Sequence, residues 1–168
     1  MVRRVGWFVV VALVGCNGGG PNKSPAADVV INELVSSNAS GLQDASGAFP
    51  DWIELYNDGN DIADLSSLTL SDDPLAPQKW SFPAGTQIEA GGYLIVFADG
   101  DPSTPEEVHT SWRLSRDGET IQLVGPALDD FPILDEVTFP FMETDVSWAF
   151  IGDGFEVAST PTPGAPNE

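Results

Sequence analysis

Asp51-Trp-Ile-Glu-Leu-Tyr-Asn-Asp-Gly-Asn60 is the stretch that decides the fold. In an extended chain, successive side chains point to opposite faces. Ile53 and Leu55 therefore share one face, while Trp52, Glu54 and Tyr56 share the other. Asp58-Gly59-Asn60 then supplies the residue types that turn a chain. The pattern recurs in Glu119-Thr-Ile-Gln-Leu-Val124, where Ile121 and Leu123 oppose Thr120 and Gln122. Tyr93-Leu-Ile-Val-Phe97 is apolar on both faces, which suits a central strand.

Outward from these runs the punctuation is frequent. Turn residues stand at Asp73-Pro74, Pro83-Ala84-Gly85, Gly91-Gly92, Asp99-Gly100, Gly125-Pro126 and Asp153-Gly154. Asp117-Gly118, between Trp112-Arg-Leu114 and the Ile121 run, reads as a type I′ hairpin turn. Residues 106–116 alone have the length for a helix, and their apolar residues fit its period poorly. No internal repeat is present. Short strands at regular spacing with such turns predict an all-β sandwich or barrel over residues 28–168.

The start of the chain reads differently. Arg3 and Arg4 precede an apolar run over residues 5–14, about half the ~20 residues of a spanning helix. Basic head, short apolar run and small residues make the pattern of a cleaved export signal over residues 1–15. Leu13-Val14-Gly15-Cys16, with the only cysteine of the chain, resembles the lipobox of bacterial lipoproteins. That resemblance implies lipid attachment at Cys16 and a lasting membrane anchor, since two or more acyl chains hold stably. Residues 16–27 carry the lipidated cysteine and a small, polar tether, spanning roughly 18 Å by the scaling for flexible linkers.

Cleavage before Cys16 removes two arginines and takes the formal charge from −20 to −22. Lys23, Lys79, Arg113 and Arg116 remain against 26 acids. Phosphate backbones are bound by Lys and Arg that displace counterions, so nucleic acid is not an expected partner. With Cys16 acylated no disulfide forms, and the domain stands on its apolar core.

The order of the apolar runs resembles the lamin tail domain, an immunoglobulin-like β-sandwich. The pieces are Val30-Ile-Asn-Glu-Leu34, Asp51-Trp-Ile-Glu-Leu-Tyr-Asn57, Asp64-Leu-Ser-Ser-Leu-Thr-Leu-Ser-Asp72, Phe82-Pro-Ala-Gly85 and Gly92-Tyr-Leu-Ile-Val96. Leu114-Ser-Arg-Asp-Gly-Glu-Thr-Ile-Gln-Leu123, Leu134-Asp-Glu-Val-Thr-Phe139 and Thr162-Pro-Gly-Ala-Pro-Asn167 complete the series. The chain departs from the family at Ser67-Leu68, where Gly-Trp is usual, and around Trp148-Ala149-Phe150. The resemblance implies an immunoglobulin-like sandwich of the lamin tail type. It does not carry the role of lamins, because there is no heptad rod.

Chemistry is sparse. His109 is the only histidine, in a stretch rich in Pro and Glu that reads as an exposed loop, and no Gly-x-Ser-x-Gly elbow or phosphate loop occurs. No catalytic residue is expected. Calcium is the one ion the composition invites, because it takes six to eight oxygen ligands. Asp58-Gly-Asn-Asp-Ile62-Ala63-Asp64 fails as an EF-hand, since Ile62 and Ala63 occupy ligand and glycine positions. Glu33, Asp51 and Glu54 are the candidate metal ligands, with Glu54 alternatively just the solvent face beside Trp52. Trp52 and Trp112 are the candidate exposed pair for stacking on a sugar, and Trp148 reads as core.

The expectation is a non-catalytic, lipid-anchored binding or adhesion module of the bacterial cell envelope, exported, with a protein or polysaccharide partner and no cofactor. Asn17, rather than aspartate, after the cysteine favours the outer membrane over the inner. The alternative is an accessory domain of an exported hydrolytic system, nuclease or phosphoesterase, as the resemblance implies.

Overall fold

A computed structural model of the protein describes residues 25–102, 106–126 and 130–168, so Cys16 and most of the tether lie outside the described residues. A 3-10 turn, Pro25–Asp28, leads into β1 (Val29–Val35). There follow β2 (Trp52–Asn57), β3 (Ala63–Asp64), β4 (Thr69–Ser71), β5 (Trp80–Ser81), β6 (Gln87–Ile88) and β7 (Tyr93–Phe97). Then come β8 (Val108–His109), β9 (Glu119–Val124), β10 (Ile133–Phe139), β11 (Ser147–Ile151) and β12 (Gly154–Ala158).

The strands form a sandwich of the immunoglobulin-like kind. One sheet has six strands in the order β12-β11-β1-β2-β7-β8, the other four in the order β10-β9-β4-β5, and β3-β6 is a small third pair. Pairing is antiparallel throughout except for β7 with β8. The core between the sheets contains Ile31, Leu34, Ile53 and Leu55 from one side and Leu70, Ile121, Leu123 and Val137 from the other. Ile53, Leu55, Ile121 and Leu123 thus lie on the faces that their alternation predicts.

Four expectations are corrected. Asp117-Gly118 makes no type I′ hairpin, which needs positive φ at both central residues. The Gly118 amide closes a turn back to the Ser115 carbonyl at 3.1 Å, and Gly118 has φ +95° while Asp117 does not turn positive. Residues 112–114 meet Asp99 through Arg113 and do not pair with β9. His109 sits on β8 and is buried, because its ring packs on Phe97 at 5.1 Å. β7 lies between β2 and β8, as a strand apolar on both faces predicts, with β8 covering only Val96 and Phe97.

The fourth correction matters most. The polar face of β2 is not a solvent face, since Glu54 is buried, and on β9 Gln122 is buried while Thr120 on the same face stays part-exposed. Gln122 donates to Glu136 at 2.6 Å across β9 and β10. Glu54 is buried because a third layer of chain covers the outer face of the six-stranded sheet.

Candidate functional site

That outer face is where polar and apolar chemistry meet. Its apolar half is a second cluster of Val35, Trp52 and Phe97, closed by Leu42 and Ile95. Its polar half is Glu33 and Glu54, which stand directly opposite in the β1–β2 register, each with no exposed surface.

A bulge in β1 creates this pairing. Ile31 pairs with Leu55 and Glu33 with Glu54, so Asn32 is one residue too many for the ladder. An extra residue reverses the facing of everything after it. Ile31 points into the core, Glu33 away from it, Leu34 in again, and Val35 out beside Trp52. The odd Asn32 side chain donates to Glu54 Oε1 at 2.8 Å.

Residues 159–168 run over the pair as a strap. The Thr162 amide donates to both Glu33 oxygens, at 3.2 and 3.0 Å, and the Gly164 amide to Glu54 Oε2 at 2.5 Å. Asn167 fastens the end, its amide nitrogen donating to the carbonyls of Asn32 and Phe150 at 3.0 Å each. Burial pushes the Glu54 carboxyl up to about 7 against the hydrogen bonds from Gly164 and Asn32, and Glu33 adds to the rise. Burial raises Glu33 likewise, against its bonds to the strap.

Between the strap and the loop of residues 36–51 lies a groove of about 330 Å³, lined by Val35, Leu42, Trp52, Pro161 and Pro163, with Asn38 and Asp145 among its polar walls. Those polar groups are already engaged. Asn38 Nδ2 donates to the carbonyls of Leu42 and Pro50, each at 2.7 Å, and its Oδ1 accepts from the Gly41 amide at 3.0 Å. Asp145 accepts from the amides of Ala39 and Ser40 and from the Ser40 hydroxyl. Those bonds hold Asp145 below the usual carboxylate range.

Of the three acids proposed as metal ligands, the fold brings two together. Asp51 instead accepts from the Asn38 amide at 2.8 Å, and burial raises its carboxyl. The four oxygens of Glu33 and Glu54 all face N–H or O–H donors, an arrangement opposite to what a cation requires. Among the described residues no group of three or more His, Cys, Asp or Glu is placed to hold a metal. The stacking pair is corrected outright: Trp52 is 1 % exposed and Trp112 6 %. Trp52 is sealed under Leu42, and Trp112 enters the main core with Lys79 over its ring at 5.8 Å. Trp148, read as core, packs partly buried against that core.

His109 belongs to a separate polar cluster. Its Nδ1 lies 3.1 Å from Asp99 and its Nε2 3.5 Å from Glu107, which also accepts from the Ala45 amide. The cluster ties β8 to the loop of residues 36–51.

The family model of the lamin tail domain matches residues 22–139, well over half the chain. The chain belongs to the lamin tail domain family. Among curated proteins none matches it. Within this lamin tail domain both glutamates of the pair fall inside the matched stretch, while β11, β12 and the strap lie beyond it. Sequence reasoning singled out Thr162-Pro-Gly-Ala-Pro-Asn167 only as a piece of the resemblance. It missed that the segment covers the glutamates, since no apolar period marks it.

Proposed function

We propose that this lamin tail domain is a non-catalytic binding module of the bacterial cell envelope, anchored through lipid on Cys16, that takes an apolar side chain of a partner protein into the groove between the strap and residues 36–51. The observation that carries this reading is the groove's composition. Its walls are Leu42, Pro161 and Pro163 over a floor of the buried Val35 and Trp52, and its polar groups spend their hydrogen bonds within the protein. A sugar needs an open aromatic face and free polar partners, so protein is favoured over polysaccharide. The charge of −22 left after cleavage before Cys16 favours a partner whose surface around the inserted side chain is basic.

A peptide array of basic sequences carrying Leu, Ile, Met or Phe, and a glycan array, each probed with labelled protein, test the reading. Wild-type protein binds a subset of the peptides and Leu42→Asp, which puts a charge into the groove, loses them. Binding confined to glycans, binding unchanged by Leu42→Asp, or binding to neither array overturns it.

A further inference from the structure

The strap that forms one wall of this groove is held by two buried carboxylates of like charge. Groups directly opposite on neighbouring strands stand about 4.5–5.5 Å apart at Cβ, and two carboxylates buried side by side on one face resist ionising together away from water. A counter-charge is needed, and the described residues around the pair supply none. Among the described residues no Lys, Arg or His pairs with either glutamate. On the same face β2 and β7 contribute Tyr56 and Tyr93, whose rings lie 4.9 Å apart. β11 contributes Ser147 and Ala149, the strap Thr162, Gly164 and Asn167, and Glu168 at its end is exposed.

We propose that the Glu33–Glu54 pair and residues 159–168 form a proton-loaded latch, closed while the pair holds a proton and released when the pair gives it up. Closed, the strap's amides satisfy the oxygens and Pro161 and Pro163 complete the groove. With both glutamates ionised, water solvates the pair better than the strap does, and the strap leaves with that wall. The rise of Glu54 to about 7, caused first by burial, puts the transition near neutrality. This regulation rests on the groove reading above, but it is measured without any ligand and so fails or stands separately.

A nitroxide on Ala165→Cys, an exposed strap position, reads the latch in the full chain carrying Cys16→Ser. The label is expected to be far less mobile at pH 5.5 than at pH 9, with the ratio of mobile to immobile label rising about tenfold per pH unit between about 4.5, the free carboxyl's value, and about 7, and levelling off above, as release of one proton on opening requires. Glu54→Gln is expected to remain immobile at pH 9, and Glu33→Gln takes its place with the same expectation should Glu54→Gln fail to fold. Equal mobility at both pH values in the parent protein overturns the latch, as does a glutamine variant that follows the parent curve. A control label at Ser81→Cys, exposed on β5 of the other sheet, is expected to be unchanged by pH. Mobility gained there as well means that the whole domain unfolds, and also overturns it.

Discussion

Glu33 and Glu54 face each other on the outer side of the six-stranded sheet because Asn32 is an extra residue in β1. The bulge does two things at once. It returns Leu34 to the core one residue later, and it turns a second carboxylate toward the strap that already caps Glu54.

Stability is expected to fall as pH rises toward neutrality. Glu54 ionises at about 7 in the folded chain against 4.5 for the free side chain, and Glu33 is raised in the same sense. Between those values the folded state holds more protons than the unfolded one. The contribution is therefore present in full below about pH 4.5 and lost as pH passes 7. One pKa unit corresponds to about 1.4 kcal/mol, so thermal melts are expected to lose several degrees from pH 5 to pH 8. Glu54→Gln is expected to flatten that slope, and an unchanged slope in the variant would refute the assignment.

Core burial separates two neighbours on β9. Leu123 has no exposed surface, and Leu→Ala at such a site costs about 2–5 kcal/mol. Gln122 loses one hydrogen bond to Glu136, worth about 1 kcal/mol, and Glu136 is exposed and can turn to water. Chemical denaturation of Leu123→Ala and Gln122→Ala is expected to rank them in that order.

Gly118 is expected to tolerate no side chain. It has φ +95°, and a Cβ there would stand 2.5 Å from the Phe139 carbonyl oxygen and 2.8 Å from the Pro140 carbonyl carbon, both backbone atoms. Gly152 also has positive φ, at 60°, but a Cβ there meets nothing within 4 Å. Gly152→Ala is expected to cost about 1–2 kcal/mol, the strain of a left-handed residue alone. Gly118→Ala is expected to cost clearly more in the same denaturation experiment.

The sandwich was legible from short-range patterns because alternation reports which side chains share a face. Ile53, Leu55, Ile121 and Leu123 are buried as a group for that reason. Alternation does not report whether the opposite face is covered, and here it failed for Glu54, Trp52 and Gln122. The cover over Glu54 comes from Gly164, 110 residues away along the chain. The β1 bulge was hidden because one added polar residue in an extended run leaves no periodic trace. His109 was misplaced because β8 has two residues, too few to show any period.

The anchor has its own test. In the proposed anchoring the lipid would sit on the Cys16 thiol, which serine lacks, so Cys16→Ser is expected to move the protein from the membrane pellet to the soluble fraction. Mass spectrometry of the parent protein is expected to find an acylated N-terminus at Cys16. An unmodified N-terminus elsewhere on soluble protein would contradict the lipoprotein reading.

The most direct test of the site is amide hydrogen exchange at Thr162 and Gly164 in the intact protein. Both amides donate to fully buried carboxylates, and exchange from such a position requires local opening. At pH 6 the two amides are expected to exchange at least about a hundredfold more slowly than an unstructured chain. Exchange of both at free-chain rates at pH 6 would mean that the strap does not cover the Glu33–Glu54 pair, and would contradict the site built on it.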